Sequence, residues 1–160
     1  MREKRSQGQK APPPFQESEG KEAFLAQSAL FQQLHAEALR DIDRITTTMS
    51  YPPGRIFYRP GERGSLLFLL KSGRVQLYHL STDGRKLITA ILEPGACFGE
   101  MALIGQGMHQ CFAEAVLDTR VYSIYKQDIE RLLAEQPTIT HALLQIVGQR
   151  QLQLEAQLID

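Results

Sequence analysis

The sequence predicts a mainly β fold with flanking helices, built as an antiparallel sandwich or jelly roll. Between residues 45 and 125, about seven short apolar or β-branched runs follow one another, and Gly or Pro closes most of them. Short strands at this spacing, separated by turn residues, are typical of sandwiches and rolls. No strand–helix–strand rhythm is present, which argues against a dinucleotide-binding fold.

Length and charge bound the class of protein. The 160 residues, 42% of them hydrophobic, suffice for one domain with a helical extension. Lys and Arg total 18 and so do Asp and Glu, so no net charge draws the chain to nucleic acid. No run of about 18 apolar residues predicts a membrane span, and no apolar run follows the charged start as in a signal peptide. We therefore expect a cytoplasmic protein without a membrane partner.

The first part of the chain changes character near residue 22. Residues 1–21 are polar, charged and Pro-rich, and they are predicted to form a disordered arm. From Glu22 to Ile45 apolar residues recur at three-to-four spacing, which predicts two short helices, with Ser28 as a start signal for one of them. These helices lead into a β-domain that we expect to span residues 22–135.

The strands follow in order, and their ends are marked by turn residues. The Asp83-Gly84 pair predicts a type I′ hairpin turn, because this turn needs positive φ at its central positions. Phe112–Val116 and Arg120–Tyr125 come after a longer irregular stretch. The earlier predicted strands are Ile45–Thr48, Arg55–Tyr58, Ser65–Lys71, Arg74–Leu80 and Lys86–Leu92.

The last third is helical. A short helix is predicted over Gln127–Ala134, and Thr138 is a suitable N-cap for a long helix over 138–160. One apolar stripe (Ile139, Leu143, Ile146) is expected to face the β-domain. A second stripe steps by 3, 4, 3 and 4 residues, as in a coiled-coil seam. It predicts a homodimer through this helix, with one broad face packed inside a monomer as the alternative. Its members are Leu144, Val147, Gln151, Leu154 and Leu158.

Residues 94–104, here called the cassette segment, carry the candidate chemistry. Gly99 allows a close backbone approach, and the residues after it can begin a helical turn whose free amides attract anions. Glu100 can accept hydrogen bonds from ribose hydroxyls. Taken alone, a Gly-Glu pair at the end of a strand is more often a plain turn.

In its place after the strands, the cassette segment resembles the phosphate-binding cassette of cyclic nucleotide-binding domains. Residues 28–160 resemble the sensor domain of the CRP/FNR superfamily of bacterial transcription regulators, including the Arg-Pro-Gly-Glu turn at 59–62 and the run from Phe98 to Leu103. The resemblance implies an eight-stranded double-stranded β-helix that holds a small effector, and a C-terminal helix that pairs with its twin. In such regulators the effector shifts this helix and reorients a winged helix-turn-helix.

The resemblance implies an effector site, and the sequence departs from the family pattern there. Cyclic-AMP-binding members place an Arg nine or ten residues after the cassette Glu, where this chain has His109 and Gln110. No Lys or Arg occurs between Lys86 and Arg120. A lost charge-assisted phosphate contact costs roughly 2–5 kcal/mol. We therefore expect that the effector site inside the β-roll, here called the cup, has lost its phosphate-binding cation. The candidate site residues are Gly99, Glu100, Met101, Ala102, His109, Gln110 and Cys111.

Several effector interpretations stay open. Cyclic AMP is disfavoured, also because Leu154 and Glu155 stand where cyclic-AMP-responsive members carry a Thr-Ser pair. The cup could instead hold another ligand or be filled by Met101, Met108 and Phe112. A cyclic-AMP-binding regulator with non-standard phosphate contacts, through a basic group reaching in from a neighbouring loop or subunit, is a further alternative.

Catalysis and metal binding are not predicted. The histidines (His35, His79, His109, His141) are scattered, without the His-x-His of a cupin or a haem motif. Cys97 and Cys111 are too few for a disulfide scaffold. They are expected to be inert buried thiols, with a redox pair as the alternative.

These observations predict the effector-sensing and dimerisation domain of a CRP/FNR-family transcription regulator. DNA and RNA polymerase would be contacted only through parts absent from this chain, since no segment has a helix-turn-helix pattern. We expect the native protein to continue past Asp160, because the helical pattern stops there without a cap. The alternative is a stand-alone ligand-binding or dimerisation module.

Overall fold

The computed structural model describes residues 14–104 and 107–159. None of the helices in this part of the chain has the length and apolar character needed to cross a membrane. In chain order the elements are α1 (Pro14–Gln27), α2 (Ala36–Ile45), β1 (Thr47–Tyr51), β2 (Ile56–Tyr58), β3 (Leu66–Ser72), β4 (Val75–Leu80), β5 (Lys86–Leu92), β6 (Cys97–Phe98), a 3₁₀ helix (Glu100–Leu103), β7 (Phe112–Ala115), β8 (Thr119–Tyr125), α3 (Lys126–Glu135) and α4 (Pro137–Ile159).

Two four-stranded antiparallel sheets form the roll. The strand order is β1-β8-β3-β6 in the first sheet and β2-β7-β4-β5 in the second. Within the first sheet, Leu69 lies opposite both Tyr122 and Cys97. In the second, Leu77 lies opposite Ala113 and Ala90. This arrangement confirms the predicted jelly roll, and β6 is a short strand that the run pattern did not reveal.

The alternation of side chains along β3 divides the apolar residues into two clusters. Phe68 and Leu70 point into the roll, where they pack against the second sheet. Leu67 and Leu69 point outward, where the helices cover them. Because a fully buried large apolar side chain contributes about 1.5–3 kcal/mol, this double-sided burial makes β3 central to stability. The outer cluster also contains Leu25, Leu30, Phe31, Leu39, Ile42, Tyr122, Ile124, Ile129, Leu132, Ile139 and Leu143.

The helical lead-in begins earlier than predicted. Residues 1–13 of the expected arm lie outside the described residues, but residues 14–21 belong to α1. Lys21 explains part of the difference, because its Nζ lies 3.3 Å from Asp43 Oδ1 and donates to the Asp43 carbonyl oxygen at 2.8 Å. This charged side chain thus holds α1 against α2. Ser28 ends α1 instead of starting a helix, since its buried hydroxyl donates to the Leu25 carbonyl oxygen at 2.7 Å.

The β4–β5 hairpin turn differs from the predicted type I′ geometry. The Gly84 N–H donates to the Ser81 carbonyl oxygen at 2.9 Å, so Thr82 and Asp83 are the central residues. Both have negative φ, and only Gly84, with φ of 84°, adopts the left-handed conformation. The Asp-Gly pair therefore sits one position later than assumed, in a longer loop in which glycine closes the turn.

The long helix packs on the roll through the predicted inner stripe. Ile139 and Leu143 are buried in the outer cluster, and Ile146 packs against it. The helix begins at Pro137, one residue before the predicted start. Proline suits the first helical position, because its missing N–H would have had no helical partner there.

Candidate functional site

The cassette segment leaves the first sheet at a glycine. Gly99 has φ of 85°, a left-handed conformation that favours glycine. A Cβ at this position would lie 3.2 Å from the Leu66 carbonyl oxygen and 3.2 Å from the Phe68 ring. The turn starts the 3₁₀ helix, whose Glu100 and Met101 line a cavity.

This cavity, the cassette cavity, has a volume of about 380 Å³ and lies between the second sheet, the cassette segment and α4. Its size falls within the range of small-molecule sites. The sheet contributes Leu77, His79, Thr89 and Ala90, and α4 contributes Val147, Arg150, Gln151, Gln153 and Leu154. The remaining lining residues are Glu100, Met101, Ile104, Gln110 and Cys111.

Glu100 is the acidic side chain of the cassette cavity. It is only 5% exposed. Burial raises the pKa of its carboxyl group, while its own backbone N–H and the charge of Arg150 act in the opposite direction. In its ionised form this carboxylate can accept hydrogen bonds from ligand hydroxyl groups.

Arg150 brings a cation into the cavity from α4. Its Nη2 donates to the Cys97 carbonyl oxygen at 2.8 Å, which ties the helix to the cassette segment. The expectation that the cup has lost its cation is therefore wrong for the cavity as a whole: the loop after the cassette contains no Lys or Arg, but α4 supplies an Arg. Two further polar atoms near this point, Arg150 Nε and Gln153 Oε1, are buried without a hydrogen-bond partner among the described residues.

Arg150 was not predicted, because the phosphate-binding cation was expected in the loop after the cassette or, as the alternative, on a neighbouring loop or subunit. A signal was nevertheless present. Arg150 is the sole Lys or Arg between residues 137 and 159. It lies three residues after Val147 and four before Leu154, so these three side chains share one helix face.

The predicted site residues divide into three groups. Glu100, Met101, Gln110 and Cys111 line the cassette cavity. Gly99 and Ala102 are buried and shape the backbone. His109 is turned elsewhere: its ring stacks on Tyr58, with centroids 3.7 Å apart and planes 7° apart.

The environment of His109 does not suit a phosphate-binding cation. The residue is 5% exposed, and its Nδ1 has no hydrogen-bond partner among the described residues. Burial lowers its pKa, and the charge of Glu62 opposes this only in part. The idea that His109 substitutes for the missing arginine is therefore not supported by its position, because stacking and burial favour the neutral ring.

Aromatic side chains from the strands fill the roll beside the cavity. Phe57 contacts Phe98 edge to face at 5.0 Å, and Phe68 stacks on Phe98 at 5.1 Å. Of the three fillers that the sequence suggested, only Met101 lines the cassette cavity. Phe112 instead stacks on Tyr78 at 4.9 Å, and Met108 forms a bridge with Arg63.

The two cysteines are free thiols. Burial raises the pKa of Cys111 to about 12 and moves that of Cys97 still further above its usual value. Because the thiolate is the reactive form, this environment favours the interpretation of inert thiols over a redox pair. Within residues 14–104 and 107–159, no group of three or more His, Cys, Asp or Glu side chains is placed to hold a metal ion.

The predicted dimer stripe of α4 differs in exposure along its length. Val147, Gln151 and Leu154 line the cassette cavity, whereas Leu144 is 66% exposed. The side chain of Leu158 lies outside the described residues. Leu152 is also exposed, at 67%, and borders a surface groove with Gly148. A second, exposed apolar row on α4 is formed by Leu144, Gly148 and Leu152, which follow one another at four-residue spacing.

Comparison with known proteins identifies relatives of this domain. The family model described as "Cyclic nucleotide-binding domain" matches residues 48–136. The cyclic AMP receptor protein of Thermus thermophilus is 33% identical over 100 residues, which cover 62% of this chain and 46% of that protein. A CRP-like cAMP-activated global transcriptional regulator of Mycobacterium tuberculosis is 25% identical over 127 residues, covering 79% and 57%. The chain thus spans about half the length of these curated relatives.

Solved structures show the same architecture. The catabolite activator protein of Thermus thermophilus superposes with a TM-score of 0.72 at 30% identity, over 82% of this chain and 62% of that one. The sensor domain of the transcriptional regulator DNR from Pseudomonas aeruginosa superposes with a TM-score of 0.74 at 21% identity, over 84% and 91%. The second likeness supports the fold alone.

Proposed function

This chain belongs to the cyclic nucleotide-binding domain family, and we propose that it is the effector-sensing and dimerisation domain of a CRP/FNR-family transcription regulator. The observation that carries the proposal is the position of the cassette cavity, which has the cassette segment on one side and α4 on the other. A ligand bound there contacts the helix that would carry the signal onward. Relatives of this family are regulatory proteins, and we propose no catalytic activity. DNA and RNA polymerase would be contacted by other parts of the whole protein.

We further propose that cyclic AMP is not the effector. No Lys or Arg occurs between the cassette and Arg120, and His109 faces Tyr58 instead of the cavity. A missing bidentate phosphate contact costs roughly 2–5 kcal/mol, or about thirty- to several-thousand-fold in affinity. Calorimetric titration with cyclic AMP tests this proposal. Binding at micromolar concentration would refute it.

A second candidate function deserves the same test, because Arg150 is a specific observation in its favour. A guanidinium from α4 could hold a cyclic phosphate by a non-standard contact. Arg150→Met would then abolish cyclic AMP binding, whereas Arg40→Met, at an exposed site on α2, would leave it intact. Equal affinities in the two variants would exclude this candidate.

The proposed dimer forms through the outer face of α4. Leu144 and Leu152 leave large apolar surfaces exposed there, and Gly148 between them allows close approach of a second helix. We expect a dimer by sedimentation equilibrium, and a monomer for Leu152→Glu. Leu117→Glu is the matched control, because Leu117 is 46% exposed and lies outside α4. A monomeric parent chain, or a dimeric Leu152→Glu variant, would contradict this interface.

The effector itself is best sought by native mass spectrometry of the purified chain. Retention of a small molecule, lost in a variant with Ala90→Trp in the cavity wall, supports a sensor. A parent chain that never retains or binds any small molecule supports the stand-alone dimerisation module. Reading the gene past codon 160 separates the two further, because a regulator requires a DNA-reading segment.

A further inference from the structure

A second cavity, here called the side cavity, shares no lining residue with the cassette cavity. It has a volume of about 150 Å³. This volume is below the range of drug-sized ligands and suits a single small ring or a short carbon chain. The lining residues come from β1, β2, β3, the turn between β2 and β3 and the loop before β7: Tyr51, Phe57, Tyr58, Glu62, Arg63, Ser65, Leu66, Phe68 and His109.

Aromatic rings form the apolar part of the side cavity. Tyr51 and Phe57 stack with their ring centroids 3.9 Å apart, and Phe57 meets Phe68 edge to face at 5.3 Å. The His109 ring, stacked on Tyr58, forms a further wall. Tyr51 and Phe57 are only partly buried, so some of their ring surface is open. A ligand with an apolar body would gain free energy by covering this surface.

The polar part of the side cavity stands on a turn whose backbone is held in place. The His109 N–H donates to the Glu62 carbonyl oxygen at 2.9 Å, and the Gly61 N–H donates to the His109 carbonyl oxygen at 2.9 Å. The Gly64 N–H donates to the Gly107 carbonyl oxygen at 2.8 Å. Because three hydrogen bonds fix the turn, its side chains are preorganised for a ligand, which lowers the ordering cost of binding.

The charge around the side cavity is positive. Residues 51–65 contain three Arg and one Glu, without Lys or Asp. Glu62 is already paired, because Arg59 Nη1 lies 3.5 Å from Glu62 Oε1. Arg63 has no ion-pair partner among the described residues. Burial lowers the pKa of His109, so its ring adds no charge at neutral pH. The unbalanced charge of the lining is therefore the guanidinium of Arg63, whose fork geometry matches a carboxylate.

From these features we infer that the side cavity binds a small organic monocarboxylate, with its carboxylate on Arg63 and its apolar body on the rings of Tyr51 and Phe57. The hydroxyl of Ser65, an exposed member of the lining, can donate a further hydrogen bond. An ammonium ligand would contact the same rings but would meet the charge of Arg63 and find Glu62 already paired. The inference concerns a separate site and does not rest on the proposed sensor function.

Calorimetric titration of the full chain at pH 7.5 with three probes that share one ring tests the charge preference. The probes are benzoate, benzamide and benzylamine, which are anionic, neutral and cationic. We expect benzoate to bind about tenfold more tightly than benzamide, because charge-assisted hydrogen bonds are about twice as strong as neutral ones, and benzylamine to bind least. Arg63→Gln should lower the affinity for benzoate to that for benzamide. Arg40→Gln, an exposed substitution on α2, is the matched control and should change neither affinity.

A charge reversal guards against a folding defect of Arg63→Gln. Arg63→Glu should bind benzylamine more tightly than benzoate, and this gain cannot arise from misfolding. Proton NMR locates the probe, because benzoate should shift the ring signals of His109 and not those of His79, which lines the cassette cavity.

Four results would overturn the inference. These are no binding of any probe at millimolar concentration, benzylamine binding as tightly as benzoate to the parent chain, unchanged benzoate binding in Arg63→Gln, and a benzoate shift at His79 without one at His109. The proposed sensor function is tested separately, by the cyclic AMP titration and native mass spectrometry described above, so failure of the side cavity leaves it standing.

Discussion

Gly64 is the position at which a single methyl group should have the largest effect on the cassette. It lies in the turn after β2, against the 3₁₀ helix. A Cβ added there would overlap the Cβ of Ala102 and lie 2.9 Å from both Ala102 Cα and His109 Nε2. Its φ lies outside the left-handed range, so the effect of Gly64→Ala is steric and not conformational.

The expected destabilisation follows from the distances. Carbon atoms pack best at about 3.5–4.0 Å, so the cassette backbone or the turn must move by about 1.4 Å to restore ordinary contact with the Ala102 Cβ. Because one of the neighbours is a backbone atom, we expect a cost near the upper end of the overpacking range, about 3 kcal/mol. For a chain of this size that corresponds to a melting temperature about 6–12 °C lower.

Differential scanning calorimetry and urea titration measure this change. Gly20→Ala in α1 is the matched control, because a Cβ there meets nothing within 4 Å. Helix propensity predicts that this control gains up to about 1 kcal/mol. Combining Gly64→Ala with Ala102→Gly should restore part of the loss, with a coupling energy of at least about 1 kcal/mol. A Gly64→Ala protein that melts at the parent temperature would refute the reasoning.

Three further predictions concern reactivity, pH and the α4 surface. The Cys111 thiol, with a pKa of about 12, should react with a disulfide reagent at pH 8 about a hundred- to a thousandfold more slowly than an unperturbed thiol, and rapid labelling of the native chain would contradict this. The lowered pKa of His109 contributes stability that is present above about pH 6.5 and is lost as the pH falls through the folded-state value. Urea midpoints of the parent should therefore fall more steeply between pH 7.5 and 5 than those of His109→Phe, which keeps the stack on Tyr58; parallel slopes would argue against it. Gly148→Ala should stabilise the exposed helix by up to about 1 kcal/mol but weaken the proposed dimer, as measured by sedimentation, and an unchanged dimer would place the interface elsewhere.

Local sequence patterns were sufficient to predict most of the fold. Alternating residues such as those of β4 and the Pro-Gly pairs at 60–61 and 94–95 predict strands and their ends, because side-chain direction and turn conformation depend on neighbours in the chain. The inner stripe of α4 was likewise evident from its spacing, since Ile139 and Leu143 must find an apolar surface. The boundary of the N-terminal arm was not evident from local spacing, because the contact of Lys21 with Asp43 joins two separate helices.

The sequence by itself therefore determined the roll, the cassette turn at Gly99 and the absence of a basic side chain after it. Only the tertiary structure decided what surrounds Glu100. Arg150 stands 50 positions away in the chain and reaches the cavity because α4 lies across the roll. His109 was expected in the cavity but stacks on Tyr58, and Val147 and Leu154 of the predicted dimer seam also line the cavity. The physical reason is that spacing along a helix or loop defines relative directions only, whereas the docking of one element on another decides which direction faces the ligand, the core or the solvent.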